Sequence, residues 1–253
     1  MSNMSTDALP STPKYYVLKT EVLKLIAGMQ PGTLIPTERA LAEEYSTSRT
    51  TVRQAISELV AEGRLGRIQG HGTFVAPPKM THVRQLTSFS DDARNQGLRP
   101  DSKLLALVVV KADAQVAANL GLDQGDPATR LERIRLIEGE PLAHEVAYLP
   151  GKLPRFKANL AKAGSLYAVL ADVYGIRISD VEDTVETALA GPGDVRLLGI
   201  EMGAPLLVVQ RLARDAAGKP VEWTRSTFRG DRFRFVSRVK SNQDHQSQSV
   251  RKP

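Results

Sequence analysis

Tyr15, Leu18, Val22, Leu25, Ile26 and Met29 recur at steps of three and four, which predicts an amphipathic helix closed by Pro31-Gly32. A second helix is expected after Pro36-Thr37, with Thr37 as its N-cap, Glu38 in its first turn and Leu41 and Tyr45 on its inner face. Ser46-Thr47-Ser48 breaks the pattern, and Ser48 caps a third helix whose stripe is Val52, Ala55, Ile56, Leu59 and Val60. Gly63 stands where a helix ends in the left-handed conformation. Leu65 to Ile68 and Thr73 to Val75 then flank Gln69-Gly70-His71-Gly72, a glycine-rich hairpin turn. Helix, helix, tight turn, helix and small hairpin make a winged helix-turn-helix.

Beyond Pro77-Pro78-Lys79, read as a linker, strand patterns alternate with single helices. Leu120-Gly121-Leu122-Asp123-Gln124-Gly125-Asp126-Pro127 matches Leu198-Gly199-Ile200-Glu201-Met202-Gly203-Ala204-Pro205 at an offset of 78 residues. The same offset carries Arg133 to Arg211, and each copy runs into a hairpin, at Glu138-Gly139-Glu140-Pro141 and near Gly218-Lys219-Pro220. So long a period predicts two similar halves in one sheet with a cleft between them. The fold class expected is α+β, with a mostly antiparallel sheet. The organisation expected is a loose arm over 1–12, a reading head over 13–77, a linker over 78–84, a second domain over 85–240 and a loose basic tail over 241–253.

The 253 residues suit two domains, and 42% apolar residues are enough for real cores. With no cysteine, thiol chemistry is excluded, and the four scattered histidines lack metal-ligand spacing, so neither metal nor cofactor is expected. The longest apolar run, Leu104 to Val110, is far short of a membrane span, and the polar start of the chain lacks a signal-peptide core; the cytoplasm is the expected compartment. Residues 1–84 carry net +3, residues 85–231 net −2 and residues 232–253 net +5, so both ends suit a polyanion.

Recognition helices present their N-terminal residues to base edges. Here that end reads Ser48-Arg49-Thr50-Thr51-Val52-Arg53, with Arg49 and Arg53 four apart on one face. Arginine grips guanine bidentately, and the threonines suit phosphate oxygens or a thymine methyl. Arg39 reaches the same groove, while Gly70 and Gly72 let the wing approach DNA with His71 at its tip. The plainer alternative is a salt-bridged surface in which Glu58 and Glu62 partner the arginines.

In a strand over 131–137, Arg133 and Arg135 share one face while Ile134 and Leu136 point to the other layer. Paired arginines call for an anion, and a phosphate fits their forks; cross-strand carboxylates are the alternative partners. Ser165 before Leu166-Tyr167 and Ser88-Phe89-Ser90 open two helices whose starts suit an anion. Glu145 and Glu222 each lie an even number of residues from a turn proline and are expected on one face toward the cleft, unless a bulge breaks the parity. Together these groups suit a phosphorylated polyol or amino sugar.

The head resembles the GntR family on Pro36-Thr37-Glu38-Arg39, Ser48-Arg49-Thr50-Thr51-Val52-Arg53-Gln54-Ala55 and Gln69-Gly70-His71-Gly72-Thr73-Phe74. The resemblance implies a homodimer reading a short palindrome in double-stranded DNA, with Arg39, Arg49 and Arg53 in the major groove and Gly70 at the wing tip. Gly66 departs from the bulkier residue usual there, which implies a looser wing base. Residues 85–236 resemble the UTRA effector-binding domain of the HutC subfamily, of chorismate-lyase-like fold. That likeness rests on Leu86-Thr87-Ser88-Phe89, Arg133-Ile134-Arg135, Gly139-Glu140-Pro141-Leu142, Ser165-Leu166-Tyr167, Pro220-Val221-Glu222-Trp223 and Arg229-Gly230-Asp231-Arg232-Phe233. Likeness to the subfamily's amino-sugar regulators implies glucosamine 6-phosphate or N-acetylglucosamine 6-phosphate as effector. Arg133, Arg135, Ser90, Ser165 and Tyr167 would then hold the phosphate, and Glu145 and Glu222 the sugar. Phe228 stands where relatives often have tyrosine. Expected, then, is a repressor of amino-sugar uptake and catabolism genes. Two other classes compete. An enzyme lacks a visible nucleophile–base pair, since His144 lies next to Glu145 and so on the opposite strand face. A non-specific DNA-packaging protein would not need paired arginines on a recognition helix.

Overall fold

The computed structural model describes residues 12–68, 71–83 and 87–237; nearly all of the expected arm, the whole expected tail and Gly70 lie outside them. The head is α1 (Lys14–Ile26), α2 (Glu38–Glu44), α3 (Arg49–Ala61), β1 (Leu65–Ile68) and β2 (Gly72–Val75). Leu18, Val22 and Ile26 of α1 pack with Leu41 and the stripe Val52, Ala55, Ile56 and Leu59 in one core. The first helix stops at Ile26, earlier than its apolar period suggested, because Ala27-Gly28 follows and glycine is a poor helix former; Met29 still packs on the core from outside the helix. Both cap expectations hold: Thr37 accepts from the Ala40 amide and Ser48 from the Thr51 amide. The wing gains a third strand-like segment, since Ile35 N–H donates to Thr73 O and Val75 N–H to Thr33 O. At Gly66 a Cβ would stand 2.5 Å from the Phe74 ring. The ring fills the space a side chain would take, so the wing base is packed rather than loose.

Next come β3 (Met80–Val83), α4 (Phe89–Asn95), β4 (Pro100–Lys111), α5 (Ala114–Leu120), β5 (Pro127–Ile137), β6 (Glu140–Pro150), α6 (Phe156–Ala163) and α7 (Leu166–Tyr174). The chain continues through β7 (Asp180–Leu189), α8 (Pro192–Leu198), β8 (Pro205–Arg214), β9 (Pro220–Arg229) and β10 (Phe233–Val236). The six-stranded sheet runs β4-β5-β6-β9-β8-β7, and every neighbouring pair is antiparallel. The repeat explains that order. Each copy is strand, helix, strand, hairpin, strand, and the two copies meet through their last strands, β6 and β9. Gly121 and Gly199 close α5 and α8 in the same left-handed conformation, at φ 63° and 65°, which is why both copies carry Leu-Gly there.

α5 and α8 pack on one face of the sheet, around Trp223 and Ile134 respectively. α6 and α7 cover the other face on Leu131, Ala147 and Leu149. Beside them α4 and the β3–β10 ribbon pack on Ala143, Val209 and Phe228. The stretch 78–84, expected as a linker, is therefore partly structural: residues 80–83 pair in parallel with β10. Four residues pairing across a separation of more than 150 leave no local sequence signal.

Candidate functional site: a reading head and a polar pocket

Arg49 and Thr50 are exposed at the start of α3, as is Arg53 one turn on, while Thr51 is half-buried. Ser48 and Thr51 share a side-chain hydrogen bond of 2.8 Å besides the cap, which fixes the helix start. Glu58 and Glu62 do not partner the arginines: both clasp Lys19 of α1, at 2.8 and 2.5 Å, and these bonds raise the lysine pKa. Glu38 takes that role instead. It accepts from Arg53 at 3.3 Å and from Arg67 of the wing at 3.0 Å, setting the two arginines side by side. Exposed pairs of this kind contribute about 0–1 kcal/mol, so the arginines remain available to phosphate or base. Arg39 is 79% exposed beside Glu43, and His71 is exposed at the described edge of the wing turn.

All nine residues expected in the second domain's site line one pocket of about 660 Å³, counting its open mouth. They are Ser88, Phe89, Ser90, Arg133, Arg135, Glu145, Ser165, Tyr167 and Glu222. Register accounts for the convergence: Arg133 pairs with Glu145, Glu145 with Ser226, and Ser226 with Val209, so these side chains form a row across four strands. Bulges fall between each turn proline and its glutamate, at Leu142 and Val221. Because both copies carry one, both glutamates shift together and stay on the same face.

At one end Arg135 Nη2 donates to Ser90 Oγ at 2.9 Å, and its guanidinium lies 4.3 Å from the Phe89 ring centroid. Ser165 Oγ, which caps α7, donates to Ser88 Oγ at 3.4 Å. Burial, with the Arg133 charge adding to it, pushes Arg135 down to about 10. Arg133 Nη2 bonds Glu145, the cross-strand pairing weighed in the sequence. Burial pushes Glu145 up, but Arg133 and Arg135 outweigh it and hold the carboxyl below its usual range. At the other end burial raises Glu222; a 2.7 Å bond from Thr224 opposes the rise and the Glu145 charge reinforces it. Burial and the Glu222 charge likewise raise the Tyr167 phenol, which stands beside Arg211 and Glu222 rather than in the Ser88–Ser90–Ser165 cluster.

Three buried atoms around this pocket have no hydrogen-bond partner among the described residues: the donors Arg133 Nε and Arg135 Nε, and the acceptor Glu222 Oε2. Buried polar atoms are rarely left so, and here their needs are opposite in kind. The pocket thus offers unpaired donors at one end and an unpaired acceptor at the other.

Sequence reasoning missed Arg211, which lines the pocket from β8 and is held by Asp183 at 2.7 and 2.8 Å. The 78-residue offset that carries Arg133 to Arg211 was the signal. His82, Thr224, Ser226 and Phe233 also line the pocket and were not singled out. His144 points away and meets Glu132 at 2.7 Å on the opposite face, as its parity predicts.

An arginine-bearing winged helix joined to a sheet domain around a buried polar pocket defines a ligand-responsive, DNA-binding transcription regulator. Residues 20–75 match the gntR family of bacterial regulatory proteins and residues 95–234 match the UTRA domain. The chain belongs to the gntR family, among its regulators with a UTRA domain. It is 35% identical to the HTH-type transcriptional repressor NagR of Bacillus subtilis, over 88% of this chain and 93% of that protein. It is 34% identical to the HTH-type transcriptional repressor PhnF of Mycolicibacterium smegmatis, over 92% of this chain and 96% of that one. The crystal structure of PhnF superposes with a TM-score of 0.62 at 33% identity, covering 88% of this chain and 99% of PhnF. These relatives are regulators, and the chain is a regulator rather than an enzyme. No helix among the described residues is long and apolar enough to cross a membrane.

Proposed function

We propose that the protein is a cytoplasmic repressor of amino-sugar uptake and catabolism genes. It binds a palindromic operator as a homodimer and is released by glucosamine 6-phosphate or N-acetylglucosamine 6-phosphate. The observation that carries the effector is the complementary set of unpartnered atoms: two arginine Nε donors at the serine end suit phosphate oxygens, and Glu222 Oε2 suits a hydroxyl or ammonium. Likeness to the subfamily's amino-sugar regulators supports the choice of sugar, and similarity to two repressors supports repression. The dimer is supported by β4, a twelve-residue edge strand that exposes Leu104, Leu105, Val108 and Val109. Such an edge is a template for a second copy. Effector binding shifts the population toward a dimer whose heads no longer match the half-site spacing.

Thermal unfolding of the protein with each amino sugar, with and without its 6-phosphate, tests this. A ligand at a hundred times its Kd adds about 2.7 kcal/mol. Stabilisation by the phosphates alone is expected; a flat panel refutes the effector. A different small-molecule effector in the same regulator class is the second reading. Two observations favour it: the similarity to PhnF is nearly equal to that to NagR, and Phe228 brings no hydroxyl to the pocket.

A further inference from the structure

β3 leaves the reading head and enters the pocket wall within four residues. At its start Lys79 Nζ donates to Gly230 O at 2.6 Å and Met80 N–H to Arg232 O at 2.8 Å. The head touches the same turn, because a Cβ on Gly63, the residue that ends α3, would stand 1.9 Å from Asp231 O. At roughly 3.3 Å per residue, His82 lies about 10 Å further along.

There the His82 ring is buried and lines the pocket. Its Nε2 stands 3.0 Å from Arg211 Nη2, which can only donate, so Nε2 accepts. Its Nδ1 therefore carries the proton and donates to Asp92 of α4. Thr87 Oγ1 donates to the other Asp92 oxygen at 2.5 Å. Thr81 is clasped to the same helix, its N–H donating to Gln96 Oε1 at 2.8 Å and its carbonyl accepting from Gln96 Nε2 at 2.7 Å. β3 and α4 thus form one unit that carries Ser88, Phe89, Ser90 and His82. Besides its apolar packing on Ala143, Val209 and Phe228, it is held to the sheet by polar contacts from two arginines, Arg135 at Ser90 and Arg211 at His82 and, at 3.4 Å, at the Thr87 carbonyl.

We propose that His82 is a positioning residue that couples the pocket to the reading head. A ligand drawn between the sheet arginines and the α4 serines moves the β3–α4 unit against the sheet, and the His82–Arg211 contact passes that movement along β3 to Lys79 and the turn on which α3 ends. The inference rests on the effector reading above and adds to it the residue that transmits the signal.

Two substitutions separate the two hydrogen bonds of the ring, and both equally lose its contacts with the Phe233 and Phe235 rings, at 6.2 and 5.3 Å between centroids. His82→Asn keeps a donor at the Nδ1 position toward Asp92 and loses the acceptor for Arg211. His82→Gln keeps an acceptor near the Nε2 position and loses the bond to Asp92. The full-length protein is used with a palindromic duplex selected by the wild type from random sequence, and with glucosamine 6-phosphate and N-acetylglucosamine 6-phosphate as probes. Sugar binding and duplex release are titrated separately. In H82N the sugar concentration for half-release is expected to rise about tenfold beyond any loss in sugar binding, while H82Q stays within about threefold of wild type. Release that tracks binding in both variants overturns the proposal. A wild type that binds neither sugar refutes the effector reading instead. The coupling is then judged on ligand-free duplex affinity: a change of threefold or more in H82N but not in H82Q supports it, and wild-type affinity in both overturns it. Thermal unfolding of each variant identifies any loss of fold, in which case Gln96→Ala, which releases β3 from α4 outside the pocket, takes its place under the same titrations.

Discussion

Among the described residues Arg135 is a buried cation without a carboxylate in contact, which makes its removal informative. It bonds the Ser90 hydroxyl and lies over the Phe89 ring; the like charge of Arg133 repels it, and the Glu145 and Asp101 charges attract it without direct contact. Burial and that like charge push it down to about 10. At 1.36 kcal/mol per pH unit, the fall from the ordinary arginine value is worth about 3 kcal/mol. Because the folded pKa is depressed while the group is charged in both states near neutrality, this penalty is present throughout the neutral range. Arg135→Met removes the charge and keeps an unbranched apolar chain against Phe89. It forfeits the bond to Ser90, worth about 1–2 kcal/mol, so a net gain of about 1–2 kcal/mol is expected in the ligand-free protein. For a chain of this size that is a rise in Tm of about 2–8 °C, read by thermal unfolding in a buffer free of phosphate and sulfate. Titration with glucosamine 6-phosphate should show the opposite sign. Losing a buried charge partner costs about 2–5 kcal/mol, a fall in affinity of roughly thirtyfold or more. A variant that is less stable without ligand and binds the sugar phosphate as well as wild type would show that Arg135 is a structural residue, and the anion site argued from it would be withdrawn.

The two pocket carboxylates are expected to respond oppositely. Glu145→Gln leaves Arg133 buried without its counter-charge and should cost about 3–5 kcal/mol in chemical denaturation. Glu222→Gln should instead stabilise the ligand-free protein near pH 7. Its folded pKa is raised, so the native state holds the proton where the unfolded chain has lost it, and stability falls as pH rises through that interval. The gain in Glu222→Gln should shrink to nothing below about pH 4, where the carboxyl is protonated in both states; a gain independent of pH would refute the assignment. In the head, Arg53→Ala should weaken the selected palindrome by about 1–3 kcal/mol and relax its sequence preference, whereas equal loss on random duplex would mean a phosphate contact only. Gly63→Ala should cost more than the roughly 1–2 kcal/mol of a left-handed alanine, because its Cβ also meets the Asp231 carbonyl at 1.9 Å, and denaturant unfolding measures the excess.

What the sequence made legible here was periodic or repeated. The α3 stripe, the caps at Thr37 and Ser48 and the glycine at position 63 are local, each a few residues wide, and all stand where the pattern places them. The division of the sheet into two equivalent halves was legible for a different reason, although the order of its strands was not. A repeat at a fixed offset implies two equivalent halves, and the Leu-Gly ends of α5 and α8 bring each following strand back on the same path. What stayed hidden depends on chain segments far apart in sequence. The β3–β10 pairing, the approach of His82 to Arg211 and that of Gly63 to Asp231 join segments separated by more than 125 residues, and no spacing rule reaches across such loops. Glu145 shows the same division within one residue. Its face toward the cleft was predictable, but its binding of Arg133 follows from register, which the bulge at Leu142 sets. That pairing changes what the pocket asks of a ligand. With Arg133 held by Glu145 and Arg211 by Asp183, an incoming anion meets one arginine free of carboxylate, Arg135, and two orphaned Nε donors rather than a bare fork of positive charge. Discrimination should therefore come more from hydrogen-bond geometry than from net charge. A sulfate ester of the same amino sugar, with one negative charge fewer but similar oxygens, is then expected to bind within about tenfold of the phosphate, and a loss of a hundredfold or more would restore charge as the deciding quantity.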